Sequence, residues 1–222
     1  MSGINSGISH AGWRKTLLAL AVVLASFLAP SRSFAVTSGP GVWDFMIFGN
    51  YDVTSLDNGN TFANPPSTLT NQPWNKELNN GYGGGVGLAY WFNDVVAFRL
   101  EAQTNLFSVP TSLKTSTIGS LQSSPLTGGI EVKLVGDPDY YLYLVVDVGG
   151  AYEGQMAGTG FFGKTDANAW TAYGDAGLGV NIDWVFIEAK VAYLPQAIPQ
   201  LNPSLGGQSG FWYVPVTAGF NF

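Results

Sequence analysis

The sequence predicts an all-β protein, namely an eight-stranded antiparallel up-and-down transmembrane β-barrel that is preceded by a cleaved signal peptide. Two observations predict this fold class. Apolar and polar residues alternate in segments of about ten residues, which is typical of strands. In addition, only 11% of the 222 residues are charged, whereas 46% are hydrophobic and 14% are aromatic. Soluble domains contain roughly 25% charged residues, so this chain has too few charges to cover a surface that faces water.

The first 35 residues have the layout of a secretory signal peptide. A basic pair precedes an apolar run at 17–29, and a small-x-small cleavage site ends at Ala35. The alternative is a transmembrane anchor, but a helix needs about twenty residues to span a bilayer, and this run is shorter. We therefore predict a signal peptide at 1–35 and an outer-membrane β-barrel domain at 36–222.

Cleavage at this site would remove the targeting segment and, with it, a residue type that many catalytic and metal sites use. His10 is the single histidine of the chain and lies within the signal segment, and the chain has no cysteine. Without either residue type, neither Ser–His nor Cys–His catalysis nor a histidine or thiolate metal site can be assembled. We therefore expect that the mature protein is not an enzyme and has no catalytic residues, no metal and no cofactor.

Eight segments with period two follow the signal segment, and we predict strands at 41–52, 80–92, 95–106, 126–135, 140–152, 169–182, 184–193 and 211–222. Tight turns rich in Asn, Asp, Gly and Pro join strands within each hairpin. Longer connections separate the hairpins, at 53–79, 107–125, 153–168 and 194–210. Because long and short connections alternate, all the long ones lie at one end of the predicted barrel.

The charges in these strands share one face. In the third strand, for example, Arg99 and Glu101 alternate with Phe98 and Leu100. A wholly apolar face that is exposed to water would be a large patch prone to association. Lipid requires such a face, because a Lys or Arg at the bilayer midplane costs about 2–4 kcal/mol. We predict that the charged face points inward. A soluble lipocalin-like barrel that binds an apolar ligand is the weaker alternative.

Aromatic residues cluster near the ends of the predicted strands. Strands favour aromatic residues in general, but their position at the ends is the pattern of the two girdles at the interfaces of a membrane barrel. These residues are Trp43, Tyr51, Tyr82, Tyr90, Tyr140, Tyr152, Trp170, Trp184, Tyr193, Phe211 and Trp212.

The inward charges are the candidate functional residues, as a charge network of the lumen and a possible pore lining. They are Asp44, Arg99, Glu101, Glu131, Lys133, Asp147, Asp175, Glu188 and Lys190. Such charges either pair into a plug that stabilises the barrel or line a narrow path that prefers cations. Five inward glycines leave room for water or for large neighbouring side chains, namely Gly83, Gly85, Gly87, Gly177 and Gly179.

The last predicted strand carries a resemblance to a known class of proteins. Its apolar residues fall on alternate positions, and the chain ends with Phe220-Asn221-Phe222. This end resembles the terminal signal of bacterial outer-membrane barrels that the barrel assembly machinery reads, which implies that role for Phe220 and Phe222. The glycine-rich segment 81–92 is similar to the second strand of small eight-stranded barrels of the OmpA-like family, and the resemblance covers 41–222.

The resemblance implies an integral outer-membrane protein of a Gram-negative bacterium. Its partners would be outer-membrane lipid and lipopolysaccharide, with the assembly machinery and periplasmic chaperones during biogenesis. We expect a monomer, and the net charge of −6 argues against a nucleic-acid partner. The sequence contains no counterpart of the peptidoglycan-binding domain of OmpA, so we expect no wall-anchoring role.

Two roles stay open at this point. The first is a structural or surface-interaction role with a salt-bridged, mostly closed lumen and extracellular loops. The second is a small channel for ions, or for small hydrophobic molecules as in the OmpW-like barrels.

Overall fold

The computed structural model describes residues 39–54, 78–108, 120–156, 165–195 and 210–222. The predicted signal segment and most of the long connections lie outside these residues. Within the described part of the chain, no helix is long and apolar enough to cross a membrane.

Eight strands form a closed antiparallel sheet. Each strand pairs with the next along the chain, and the first also pairs with the last, which closes the barrel. The strands are β1 Trp43–Val53, β2 Gly81–Trp91, β3 Val96–Ser108, β4 Ser120–Gly136, β5 Tyr140–Met156, β6 Thr165–Ile182, β7 Val185–Leu194 and β8 Phe211–Asn221. The predicted eight-stranded antiparallel barrel is therefore confirmed, and the cleaved signal peptide stays a prediction.

Three strands extend well beyond the ends that the sequence predicts. β4 begins at Ser120 instead of residue 126, β5 ends at Met156 instead of residue 152, and β6 begins at Thr165 instead of residue 169. Their added ends pair with one another, as in the pair Ser120–Met156. These ends contain polar residues and glycine, so the apolar alternation that marks a strand stops before the backbone pairing does.

Turn residues explain where the hairpins reverse. The side-chain oxygen of Asn93 accepts hydrogen bonds from the backbone amides of Val95 and Val96, at 2.8 and 2.9 Å. Asp137 does the same for the turn between β4 and β5. Asp183, between β6 and β7, adopts a positive φ of 58°, which Asp tolerates better than most residues. The short connections are therefore encoded locally.

The two faces of the wall differ as the alternation predicts. In β3, Arg99 and Glu101 are 1% and 3% exposed, whereas Phe98 and Leu100 are 37% and 44% exposed. The same alternation of buried and exposed positions runs along β1, β7 and β8. Where the structure describes the side chains of the strands, the charged ones therefore point into the barrel, and aliphatic and aromatic ones cover its outside.

Candidate functional site

Two buried cations lie at the centre of the lumen. Arg99 projects inward from β3 and Lys190 from β7, and both side chains are almost completely enclosed. Five carboxyl groups surround them, from β3, β4, β5, β6 and β7. We call these seven side chains the charged layer: Arg99, Glu101, Glu131, Asp147, Asp175, Glu188 and Lys190.

Arg99 contacts three carboxylates. One terminal nitrogen, Nη1, lies 2.8 Å from Glu188 Oε2 and 3.2 Å from Glu131 Oε2. The other, Nη2, donates to Glu101 Oε1. A planar guanidinium with several fixed donors is suited to joining carboxylates from different strands, so Arg99 connects β3, β4 and β7 across the lumen.

Lys190 contacts four carboxylates. Its Nζ lies 2.9 Å from Glu101 Oε2, 2.9 Å from Asp147 Oδ2 and 3.0 Å from Glu188 Oε1. Asp175 Oδ1 is more distant, at 3.6 Å. Glu101 and Glu188 therefore each bridge both cations, which makes one network of the whole layer.

Glycines lie beside the charged side chains on the neighbouring strands. Glu101 is opposite Gly87, Glu188 is opposite Gly179, and three further pairs repeat the pattern. These are Arg99–Gly129, Asp147–Gly129 and Lys190–Gly177. Long charged side chains can thus fold over strand positions that carry no side chain.

Neighbouring atoms fill the space that the inward glycines provide. A Cβ at Gly179 would meet the ring of Tyr143, and a Cβ at Gly87 would lie 2.6 Å from the terminal methyl of Met46. At other positions the backbone of the next strand is equally close, namely Gly83, Gly85 and Gly177. Of the two uses that the sequence left open for these glycines, close packing is the one observed.

Two of the nine predicted network residues, Asp44 and Lys133, lie toward the short-turn end of the barrel. Asp44 Oδ2 accepts a hydrogen bond from Trp91 Nε1 at 2.6 Å. Lys133 is half-buried, and its Nζ lies 4.4 Å from the ring centroid of Tyr141 and 5.0 Å from that of Trp91. Lys133 also interacts electrostatically with acids, among them Glu131 and Asp44, and its membership of the charge network stays a prediction. Lys133 is at the end of β4, beside a register shift, and meets aromatic faces.

An apolar cluster fills the lumen on the short-turn side of the charged layer. We call it the short-turn plug: Met46, Phe48, Ala89, Trp91, Ala97, Tyr141, Tyr143, Val145 and Phe186. Trp91 and Tyr141 meet edge to face, with ring centroids 5.9 Å apart. Tyr143 also donates from its hydroxyl to Glu188 at 3.0 Å, so the plug and the layer are in direct contact.

A second apolar cluster fills the lumen on the side of the long connections. We call it the long-loop plug: Leu78, Phe107, Leu121, Ala151, Tyr173, Ala192, Leu194, Phe211 and Tyr213. Phe107 packs edge to face on Phe211 and Tyr213, with centroids 5.5 and 5.2 Å apart. Tyr173 donates to Asp175 at 2.9 Å and so joins this plug to the charged layer.

Sequence reasoning missed two buried acids near the long-loop plug. Asp52 accepts a hydrogen bond from Asn50 at 2.6 Å, and Glu153 accepts one from Ser123 at 2.6 Å. Glu153 lies one residue beyond the predicted end of its strand. Continuing the inward alternation from Asp147 through Ala151 would have found it. Asp52 was the last residue of the first predicted strand and shares the parity of Asp44.

Aromatic pairs mark both ends of the outer face. Trp43 lies 4.8 Å from Tyr90 at the short-turn end, measured between ring centroids. At the other end Tyr193 stacks on Trp212 at 4.2 Å, and Trp170, which is 65% exposed, packs against the ring of its neighbour on β5. Two aromatic rims therefore border an aliphatic band on the outside of the barrel.

No protein-family model matches the sequence, and no curated protein matches it. Several solved structures are similar to it. Ail, the attachment invasion locus protein of Yersinia pestis, in complex with the heparin analogue sucrose octasulfate, is 15% identical; the match covers 82% of this chain and 99% of Ail, with a TM-score of 0.44.

Two further similar structures come from Pseudomonas aeruginosa. The outer membrane protein OprG is 15% identical over 83% of this chain and 98% of its own, with a TM-score of 0.42. The N-terminal β-barrel domain of OprF is 14% identical over 83% of this chain and 99% of its own, with a TM-score of 0.40. The fold of this chain rests on its own strand pairing.

Proposed function

We propose that this chain is an integral outer-membrane β-barrel protein of a Gram-negative bacterium with a closed lumen and a structural or surface-interaction role. The observation that carries the proposal is the order of side chains inside the barrel. The charged layer lies between the short-turn plug and the long-loop plug, so apolar side chains close the lumen on both sides of the charges.

The outside of the barrel supports a membrane location. Its exposed side chains include Leu100, Ile130, Val146 and Phe220, and no charged residue is exposed among the strand positions whose side chains the structure describes. A soluble barrel of the lipocalin type has the reverse arrangement, whereas a membrane barrel needs an apolar band bordered by aromatic girdles. This arrangement favours lipid over water as the surrounding solvent.

The interior supports closure over conduction. An eight-stranded barrel is just wide enough for its side chains to fill the lumen. A water-filled ion path would need a continuous polar lining, and here aromatic rings interrupt it on both sides of the charged layer. The alternative of a small channel is therefore the less favoured one.

The last strand supports assembly by the machinery that inserts barrels into the outer membrane. Phe222 exchanges two backbone hydrogen bonds with Phe45, at 2.9 and 3.0 Å, and so takes part in closing the sheet. Phe220 lies on the outer face. This arrangement fits a sequence of events in which the assembly machinery binds β8 first, and β8 then pairs with β1 to close the barrel. Lipid and lipopolysaccharide are then the permanent neighbours of a monomeric barrel.

Single-channel recording in a planar bilayer tests the closed lumen. We expect no discrete conductance steps from the purified protein, with insertion established separately by protease protection in vesicles of the same lipid. Regular steps that scale with salt concentration would contradict a closed lumen and support the channel alternative. Recovery of the protein in a fraction other than the outer membrane would contradict the location.

A further inference from the structure

The charged layer contains more carboxyl groups than its cations can neutralise. Five carboxyls face two cations, and all seven side chains are buried. Full ionisation would leave three negative charges unpaired in a compartment closed by two apolar plugs. An isolated buried charge is costly, and a buried group in this situation neutralises instead.

The five carboxyls differ in how many cations they contact and in the distance to those cations. Glu101 and Glu188 each contact both cations, and Asp147 lies 2.9 Å from Lys190. Glu131 contacts Arg99 alone, at 3.2 Å, and Asp175 contacts Lys190 at 3.6 Å. These two carboxyls are therefore the most weakly compensated of the layer.

Their neighbours add to this difference. Asp175 is directly opposite Asp147 in the β5–β6 ladder, and like charges at that spacing repel. The titratable groups that face Asp175 are Lys190, Asp147, Glu101 and Tyr173. Those that face Glu131 are Arg99, Lys133, Glu188, Asp44 and Tyr141. Asp175 thus has one cation and two acids around it, and Glu131 has two acids, Arg99 and the half-buried Lys133 around it.

We propose that Glu131 and Asp175 each carry a proton in the folded barrel and that loss of these protons loosens the closed lumen. Each group lies at a boundary of the charged layer. Asp175 contacts Tyr173 of the long-loop plug, and Glu131 lies beside Tyr141 of the short-turn plug. If these two carboxyls ionise, they become stable only when water solvates them. Water can reach them only if the neighbouring aromatic side chains of the two plugs are displaced.

The sign of the pH effect follows from proton counting. In the unfolded chain a carboxyl ionises above its ordinary pKa of about 4, whereas the folded barrel keeps two protons. Folding then takes up protons, so this contribution to stability is complete below about pH 4 and is lost as the pH rises, until the two groups ionise in the barrel as well. One proton changes the unfolding equilibrium constant about tenfold per pH unit, and two change it about a hundredfold.

Urea unfolding at several pH values tests the proposal on the protein reconstituted in phosphatidylcholine vesicles. Between pH 5 and 7 we expect the unfolding constant of the wild type to rise by about ten- to a hundredfold per pH unit. The double variant Glu131→Gln, Asp175→Asn mimics the protonated state of these two groups, so its unfolding constant should change less with pH than that of the wild type, while the buried Asp52 and Glu153 keep their own contribution to the slope. Asp94→Asn removes one charge from an exposed turn and should keep the wild-type slope.

Infrared spectroscopy gives a second readout that does not depend on refolding of a variant. Folded wild type at pH 6 should show the carbonyl stretch of protonated carboxylic acid, and raising the pH until the slope disappears should remove it. A flat wild-type slope, an unchanged slope in the double variant or the absence of this band would overturn the proposal. So would a stability that follows the concentration of Na⁺ or K⁺ in place of pH.

Discussion

At the scale of single residues, Arg99 is one of the two cations that join the carboxylates of the charged layer. It contacts Glu101, Glu131 and Glu188, which lie on three different strands. A buried ion pair adds little stability by itself, but removal of one partner leaves a buried charge without compensation. The importance of Arg99 therefore lies in what its loss would expose.

We expect Arg99→Gln to lower the free energy of unfolding by about 3–5 kcal/mol, because its carboxylates would lose their shared cation. Lys133→Gln removes the same charge from a half-buried position against aromatic rings, and we expect a loss of about 0.5–2 kcal/mol. Urea titration in vesicles measures both. Equal losses in the two variants would mean that the ion pairs of Arg99 stabilise the barrel no more than the aromatic contacts of Lys133 do.

The space around individual glycines can also be tested one residue at a time. A Cβ at Gly179 would meet the Tyr143 ring, whereas one at Gly174, on the same strand, would find its nearest atom at 3.7 Å. We expect Gly179→Ala to cost about 1–3 kcal/mol of unfolding free energy, as overpacking does, and Gly174→Ala to be close to neutral. If Gly179→Ala is also neutral, the lumen has more space than this packing implies.

At the scale of strands, polarity alternation predicts the position of each strand but not its length. All eight predicted strands overlap an observed one, because an apolar outside and a packed lumen require the alternation. At the long-connection ends of β4, β5 and β6 the sequence becomes rich in polar residues and glycine, while backbone pairing continues. For this reason the sequence predicted loops at the ends of β4, β5 and β6 that adjoin the long connections, and it missed Glu153, which lies in one of these ends.

The candidate site was predictable in part for the same reason. Parity along a strand is a local property, and it placed all nine predicted charges on the inward face of their strands. Which charges meet depends on register between strands and on distance along the barrel axis. Neither can be inferred from one strand alone, so the contact of Lys133 with the aromatic rings of Tyr141 and Trp91 emerges only from the assembled sheet.

The lipid-facing side of β3 supports a prediction at this scale. Leu100→Arg places a cation in the aliphatic band, and we expect it to lower the free energy of unfolding by about 2–4 kcal/mol. Val95→Arg puts the same residue in an exposed turn outside the band and should be close to neutral. Unfolding in lipid vesicles measures both variants. Similar stability of the two would contradict the assignment of the outer face to lipid.

At the scale of the whole molecule, the barrel combines a lipid-compatible exterior with an interior in three zones. Short connections are encoded by Asn and Asp at the turns, glycines admit the charged side chains, and aromatic clusters enclose them. The rigid wall then holds the long connections at one end, where binding to other molecules is usually carried out on such scaffolds.

The most direct test of this account is conductance of wild type and of barrels with one or both plugs opened. Phe107→Ala with Phe211→Ala opens the long-loop plug, and Trp91→Ala with Phe186→Ala opens the short-turn plug. The account predicts silent bilayers for wild type and for either opened plug alone, and salt-dependent steps only when both are opened. Steps from wild type, or from a barrel with a single plug opened, would contradict closure on both sides of the charged layer.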